Sequence, residues 1–328
     1  MIRVRQSERG GALLTVLLLV AVMSALSVAA LERLRLSTRL AANGAAADQA
    51  RAYAMAAEAM ALDRISLLTG RSTDQREIGY GWNGQPMTLP LEGGIVTARV
   101  SDGGNCFNLN SVVEGLIAGD FAPRELGIRQ FVWLMQSIGI RTVEAHRIAA
   151  SLVDWIDADS IPNPDGAEDD YYTSSAIPYR TANTMLSDVS ELRAVAGVTP
   201  EIYATLRPWV CALPTTDLSP INVNTLAMDQ APLIAMLIPD QLDLPRARQI
   251  LAERPAGGWD SIAAFWDRST LQALTPPMEV HSQTKLETRW FNLALDVEIG
   301  GAQVSETALI DGGLAPARLV SRKWGSDE

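Results

Sequence analysis

Apolar residues are concentrated at one end of this chain. From Gly11 to Leu31 no residue is charged, and between Ala12 and Leu31 only Thr15, Ser24 and Ser27 are polar. Twenty such residues wound as a helix reach about 30 Å, the thickness of a bilayer core. No breaker follows. Leu31-Glu32-Arg33-Leu34-Arg35-Leu36 leads into an Ala-rich stretch whose Leu34, Ala41, Met55, Ala59, Leu62 and Ile65 make an intermittent apolar face, interrupted only at Asn43-Gly44. The pattern predicts a helical rod from Ala12 to Leu68, about 85 Å long, half in lipid and half outside.

Beyond the rod the pattern changes twice. In Thr69–Asn105, glycines punctuate short runs at Met87–Leu91 and Gly94–Ser101, and the alternation of Ile95-Val96-Thr97-Ala98-Arg99-Val100 predicts a strand of a hairpin or meander. From Ala122 to Leu274 short helical segments follow one another: Arg124–Ser137, Val143–Trp155, Leu186–Ala194, Glu201–Trp209, Asp229–Met236, Pro245–Glu253 and Ser261–Trp266. The tail alternates again over Trp290–Ile299, Gln303–Asp311 and Ala317–Trp324, and the Gly300-Gly301 link between the first two is a hairpin signal. The fold class is therefore α+β, with a long N-terminal helix, a small antiparallel sheet and a large helical domain inserted between strands. The expected divisions are a leader at 1–10, the long helix at 11–68 and a β region at 69–105. A helical inserted domain follows at 106–218, then a second helical subdomain at 219–285 and the C-terminal strands at 286–328.

Charge orients the rod. Arg3, Arg5 and Arg9 stay cytoplasmic by the positive-inside bias, which sends the remaining chain outward. A cleaved secretory signal is the competing reading, since Ser27-Val28-Ala29 is an acceptable small-x-small site. The apolar run exceeds the usual h-region, however, and no breaker separates it from the helix that follows. The formal net charge is −11, of which residues 1–33 contribute +2, so the rest carries −13. That acidity argues against nucleic acid, whose phosphates need Lys and Arg patches, and against attraction of the ectodomain to anionic headgroups. It is compatible with divalent cations. Of the two cysteines, Cys106 and Cys211, the simplest reading in an oxidising compartment is one disulfide closing roughly 100 residues, worth up to about 4–5 kcal/mol on a chain-entropy view. Two buried thiols are the alternative. His146 and His281 are the only histidines, which leaves a zinc site few ligands.

The densest chemistry lies between Asp154 and Tyr172, where carboxylates crowd a segment that Pro162, Pro164 and Gly166 keep from being helical. So many acids in one loop repel one another unless something cationic sits among them, and calcium, with six to eight oxygen ligands, tolerates irregular loops. Counting from Asp157, Asp159, Asp165 and Glu168 fall at EF-hand positions, but Ile161 and Pro162 stand where a ligand and a glycine belong, so this is no EF-hand. Asp157-x-Asp159 touches on a phosphatase motif, but it follows a helical pattern rather than a buried strand. Paired carboxylates could serve a glycosidase, yet aromatic residues are only 6% of the chain, too few for a typical sugar cleft. The chain reads as a non-enzyme. Ile221-Asn222-Val223-Asn224-Thr225 and the short helices after it resemble helix-hairpin-helix units. The hairpin Ile238–Asp243 has two acids and no glycine, so the phosphate-gripping apparatus is missing and a structural or protein-contact role is favoured.

Arg9-Gly10 before a long apolar helix resembles the site at which prepilin peptidase cuts, which would leave Gly11 as the first mature residue. The fifth mature position, Glu in most pilin-like proteins, is here Thr15. A carboxylate in the bilayer core is expensive unless paired, and in pilin-like fibres its partner is a neighbour's terminal amine, so a tip subunit could dispense with it. Further marks run through the chain: Cys106-Phe107-Asn108-Leu109-Asn110, the acidic loop Asp157–Asp169, Asp188-Val189-Ser190-Glu191-Leu192-Arg193, Val210-Cys211-Ala212-Leu213-Pro214, Ile221–Thr225 and Arg254-Pro255-x-x-Gly258-Trp259. In order and combination these resemble the K-type minor pseudopilins of type II secretion, the general secretion pathway protein K family. The resemblance implies a pilin-like helix on a sheet, a disulfide, and calcium in the inserted domain. It also implies a cap at the periplasmic tip of the pseudopilus that primes assembly. Implied partners are the I- and J-type minor pseudopilins, the major pseudopilin fibre, prepilin peptidase, the inner membrane and secreted cargo, with no nucleic acid. The implied location is the inner membrane, crossed once, with the N-terminus cytoplasmic and the C-terminal domain periplasmic. Expected metal ligands are Asp157, Asp159, Glu168 and Asp169, with Asp188 and Glu191 as a second cluster or closing pair. The leader junction is Gly10–Gly11. The alternative is a single-pass anchored periplasmic binding protein or adhesin with a calcium-binding ectodomain.

Overall fold

The computed structural model describes residues 8–69, 81–117 and 119–325, with side chains from Gly11 onward; residues 1–7 of the expected leader and 70–80 of the expected β region lie outside the described residues. Helix α1 (Glu8–Thr69) runs unbroken. Asn43-Gly44 does not interrupt it. Gly44 is exposed with open space around it, so a weak helix former there costs little that the neighbouring alanines do not offset. Side chains 11–45 are exposed throughout, and the helix first meets the rest of the protein at Ala46.

The outer half of α1 lies on a five-stranded antiparallel meander, β1 (Pro86–Leu91), β2 (Gly94–Asp102), β3 (Trp290–Ile299), β4 (Ala302–Asp311) and β5 (Arg318–Trp324), in that spatial order. Period explains both faces. On α1, Ala50, Ala54, Ala57 and Ile65 recur at helical spacing and are buried; on β3, Phe291, Leu293, Leu295, Val297 and Ile299 alternate inward while Asn292, Asp296 and Glu298 point out. The small alanines let helix and sheet approach closely.

Polar groups in this seam are matched with one exception. Arg322 of β5 grips Glu58 of α1 in a bidentate pair, Nε to Oε2 at 2.7 Å and Nη2 to Oε1 at 2.6 Å. Glu306 of β4 lies beside them, its side chain fully buried, with Arg322 Nε 3.4 Å from Oε1 and neither oxygen accepting a hydrogen bond. Two acids thus share one guanidinium. Arg322 holds Glu58 below the usual carboxylate range, whereas burial and then the neighbouring Glu58 push Glu306 up to about 7.

Strands β2 and β3 are neighbours in the sheet, Asp102 facing Phe291, yet the chain between them makes an entire helical domain. Its helices are α2 (Glu125–Ser137), α3 (Thr142–Ile156), α4 (Asp169–Thr173), α5 (Pro200–Leu206), α6 (Ala231–Ala235), α7 (Leu244–Ala252), α8 (Ile262–Trp266), α9 (Ser269–Gln272) and α10 (Met278–Gln283). The expected helix at Leu186–Ala194 is instead a 3-10 segment over Val189–Ala194. Helices α4, α9 and α10, only four to six residues long, carry too few turns for a periodic signal. One apolar core, with Phe107 stacked on Phe131 at 4.8 Å, runs through the domain.

The domain is built twice on one device. Phe107-Asn108 pairs in parallel with Val210-Cys211, and Ile221-Asn222 with Thr284-Lys285. In both, the first Asn accepts the N–H of the second (Asn110 at 3.3 Å, Asn224 at 3.0 Å). The second Asn then clamps a distant peptide on both sides. Asn110 accepts from Leu186 N and donates to Leu186 O, and Asn224 does the same with Trp259 N and O. The disulfide Cys106–Cys211, Cα atoms 5.8 Å apart, fastens the first of these units beside its parallel pair.

The Glu58–Glu306–Arg322 seam has a measurable consequence. A carboxyl raised in the folded state adds stability that is whole below its unfolded value of about 4.3 and is lost as pH rises through the folded value, here about 7. Thermal unfolding of the detergent-solubilised chain should therefore lose on the order of 3 kcal/mol from this group between about pH 5 and 8. Glu306→Gln, which keeps the shape and a donor toward Glu58, should remove that part of the slope. An identical pH profile for the variant would refute a protonated Glu306.

Candidate functional site

Helix α3 ends at Ile156 with Asp157 as its C-cap, and Pro162 and Pro164 bar its continuation. Asp154 and Asp157, three residues apart across that last turn, project to one side. The chain then doubles back through a turn in which Gly166 N donates to Asn163 O at 2.8 Å and Asp165 takes φ of 66°. Asn163 donates to Asp154 Oδ1 from its backbone N at 3.0 Å and its Nδ2 at 2.6 Å. A Cβ at Gly166 would collide with Asp154 Oδ2, so a larger residue here would displace the Asp154 carboxylate. Glu168 then caps α4, accepting Asp169 N at its Oε2.

The loop folds these acids inward. Asp154, Asp157 and Glu168 are buried, while Asp159 is exposed at the rim with Oδ1 accepting Ile161 N at 2.7 Å. Asp157, Asp159 and Glu168 each bring an oxygen within 4.8 Å of the other two. Asp154 Oδ2, Asp157 Oδ1 and Glu168 Oε1 are sealed from solvent and accept no hydrogen bond. Burial, then the charges of Asp159, Asp154 and Glu168, push Asp157 up to about 7; burial also raises Asp154 and Glu168. Beneath the loop lies an aromatic floor, Trp155 edge-on to Tyr172 at 5.3 Å and Tyr172 against Tyr179 at 5.1 Å. Tyr172 accepts Ala196 N at its hydroxyl, at 3.0 Å.

Orphaned, buried, carboxylate-only oxygens around one point suit a hard cation with oxygen ligands and not zinc, which favours His and Cys. Of the six residues expected from sequence, the structure brings together Asp157, Asp159 and Glu168. It does not bring the other three. Asp169 turns away, its Oδ1 accepting Thr181 N and Oγ1 at 3.0 Å each and its Oδ2 Arg180 Nη1 at 2.9 Å. Asp188 and Glu191 are spent on a capping box for the 3-10 segment, Glu191 Oε1 accepting Ser187 N and Asp188 N at 2.8 and 3.0 Å. Asp188 also pairs with Lys323 of β5. The second acidic cluster is therefore an N-terminal cap and a domain contact. Asp154 was missed, although its spacing of three from Asp157 on a helical pattern was the available signal.

The hairpin Ile238–Asp243 has its acids occupied as well. Asp240 pairs with Arg129 at 2.9 Å and, at φ 65°, holds the left-handed position where a phosphate-binding hairpin has glycine; Asp243 caps α7. The leader junction Gly10–Gly11 falls within the first turns of α1, and most of the leader precedes the described residues.

Two family models described as type II secretion system (T2SS), protein K match residues 105–215 and 221–284. The type II secretion system protein K of Pectobacterium carotovorum subsp. carotovorum is 31% identical over 98% of both chains, and that of Klebsiella pneumoniae 35% identical over 97% of both. Among solved structures, the chain resembles one from the crystal structure of the GspK–GspI–GspJ complex of enterotoxigenic Escherichia coli. The TM-score is 0.72 at 28% identity, covering 85% of this chain and 97% of that one.

The self-repelling loop makes its own prediction. In chelator at about pH 8, Asp157→Asn should stabilise the chain, because it removes the most strained charge while keeping the shape. The gain should be on the order of 2 kcal/mol, several degrees in melting temperature. A lower melting temperature would mean that the repulsion inferred for this cluster is absent.

Proposed function

The chain belongs to the type II secretion system protein K family, and from that premise we propose that this minor pseudopilin caps the periplasmic tip of the pseudopilus and primes its assembly. The observation that carries the reading is where the inserted domain sits. Gly300, in the β3–β4 turn, lies against Ala46, near the membrane end of the packed helix. Gly312, at the other end of the same hairpin, lies against Ile65 and Thr69, and Asp102 faces Phe291 at that same pole. The helical domain therefore leaves and re-enters the sheet at the pole farthest from the membrane. A subunit stacked above would meet that bulk, and only the last position in a fibre has nothing above it. Thr15 agrees, since its hydroxyl is satisfied by Ala12 O at 2.9 Å and it needs no amine from a neighbour. Partners on this reading are I- and J-type minor pseudopilins, the classes that accompany the related chain in the solved complex, together with the major pseudopilin below and prepilin peptidase during maturation.

We propose in addition that Asp157, Asp159 and Glu168 hold calcium, with Asp154 lining the site and backbone carbonyls or water completing the coordination. Bound calcium would cancel the repulsion among the carboxylates. The residues themselves do the rest: Asn163 fixes Asp154, and Gly166 leaves room for the Asp154 carboxylate as the loop closes.

Three measurements test these readings. Intact mass of the membrane-extracted chain should show loss of residues 1–10 only when prepilin peptidase is present, and labelled protein should sit at one end of assembled fibres. An intact N-terminus would favour a plain anchored protein, and label along the shaft would overturn the cap. Separately, calcium at about a hundred times its dissociation constant should raise the melting temperature by roughly 5–10 °C over chelator, a gain of about 2.7 kcal/mol. Equal melting in both would remove calcium from the account.

A further inference from the structure

Between the apolar span and the first contact with the sheet, α1 is bare. Leu31 ends the uncharged run and Ala46 is the first residue against the domain, so some fourteen residues, about 21 Å at 1.5 Å each, stand alone. The charges in that stretch are Glu32, Arg33, Arg35 and Arg39. All are exposed, and none of the three arginines has an ion-pair partner among the described residues. Ser37 and Thr38 do not compete for partners, since both hydroxyls donate back to Leu34 O. Leu34, Leu36 and Leu40, each at least 60% exposed, alternate with the arginines. Leucine between arginines is the pattern of an interfacial segment, whose apolar side chains dip toward acyl chains while guanidinium groups stay at headgroup level.

Helix geometry adds direction. Cα–Cβ bonds tilt toward the helix N-terminus, which here is the membrane side, so all three arginines lean back toward the bilayer. The polar zone of a leaflet is about 5–7 Å deep. Arg33 and Arg35 lie within it, and Arg39 reaches back from roughly one turn beyond. The charge balance is as pointed. Residues 32–39 carry +2 of the formal charge and 40–328 carry −15, so the collar is a local reversal in a strongly acidic ectodomain.

We propose that Arg33, Arg35 and Arg39 form a collar that binds phospholipid phosphates of the outward-facing leaflet and sets the depth of α1. The proposal rests on the reading that α1 spans the membrane with its C-terminal half outside. Guanidinium groups suit this ligand because their planar donors match phosphate oxygens two at a time. Anionic headgroups are preferred over zwitterionic ones, which carry their own counter-charge. After removal of residues 1–10 no Lys or Arg remains on the inner side of the span. The collar is then the sole basic anchor of the helix, and it pulls outward.

The test uses the full chain in nanodiscs of phosphatidylcholine with or without phosphatidylglycerol, read by native mass spectrometry and by hydrogen exchange. The wild type should retain phosphatidylglycerol adducts, and residues 32–40 should exchange several-fold more slowly when that lipid is present. The triple variant Arg33→Gln, Arg35→Gln, Arg39→Gln should lose both effects while residues 12–31 stay protected. Equal lipid retention and equal exchange in wild type and variant would overturn the collar. Rapid exchange at residues 12–31 in the wild type would instead overturn the spanning helix, and the collar with it.

Discussion

The architecture depends on what happens at Asp102. There the chain leaves one strand of a sheet, builds a helical domain, and must return to the adjacent strand in register. The Asp102 carboxylate holds the two ends together. Its Oδ1 accepts Gly104 N at 2.9 Å on the outgoing side, and its Oδ2 accepts the hydroxyls of Thr225, from the middle of the insertion, and Thr288, on the returning side. Gly103 N donates to Trp290 O at 2.8 Å, and Asn83, before the sheet, accepts Asp102 N and donates to Thr225 O. Burial raises the acid, while hydroxyl and amide donors pull it back. With no cation in this network, a carboxyl among neutral donors is the link between two bodies. Removing it would strand several partners at once, the costly way to lose a buried hydrogen bond.

The inserted domain solves a related problem. Its helices are short, and short helices contribute little order of their own. Chain paths must therefore be fixed by specific polar contacts, which here come from buried asparagines. An amide side chain both donates and accepts, so it can mimic a strand partner for one distant peptide. Asn110 does this for Leu186, and Asn224 for Trp259. Arg254 reinforces the second unit by donating to the carbonyls of Val223, Asn224 and Leu226. The family models divide the chain between these two units.

Much of this was legible in residue order. The α1 rod shows as an uncharged apolar run with no breaker after it, and β3 and β4 as strong alternation; the strand limits fall within a residue of those expected, whereas α1 begins at Glu8, four residues before the expected Ala12. The Asn-x-Asn motifs were visible as motifs but not as clamps, because what they hold lies 35 to 76 residues away and no local pattern points there. Asp188 and Glu191 misled for a physical reason. An acid before a 3-10 turn and an acid three residues on spell a capping box as readily as a ligand pair, and only the Glu191 contacts to Ser187 N and Asp188 N decide between them. Asp154 was overlooked because it reads as part of the helical pattern of α3, whereas its carboxylate is the wall of the acidic pocket.

Among the described residues, two groups of neighbouring carboxylates hold more acid than base, and their surroundings dictate different remedies. At the α1–sheet seam, Glu306 is closed in by helix and strands; Arg322 pairs with Glu58, and burial beside that acid pushes Glu306 up to about 7, so taking up a proton is the remedy open to it. The loop after α3 gathers four carboxylates with no arginine or lysine aimed into them, and one proton would leave most of the repulsion in place. That cluster opens at its rim through exposed Asp159, and its unpartnered oxygens come from two backbone segments, the end of α3 at Asp154 and Asp157 and the cap of α4 at Glu168. Convergence of that kind binds the segments only when a cation stands between them, whereas without one the same geometry pushes them apart. The seam meets its surplus acid with Arg322 and a titratable carboxyl, whereas the carboxylates of the loop face one another with no basic partner among the described residues.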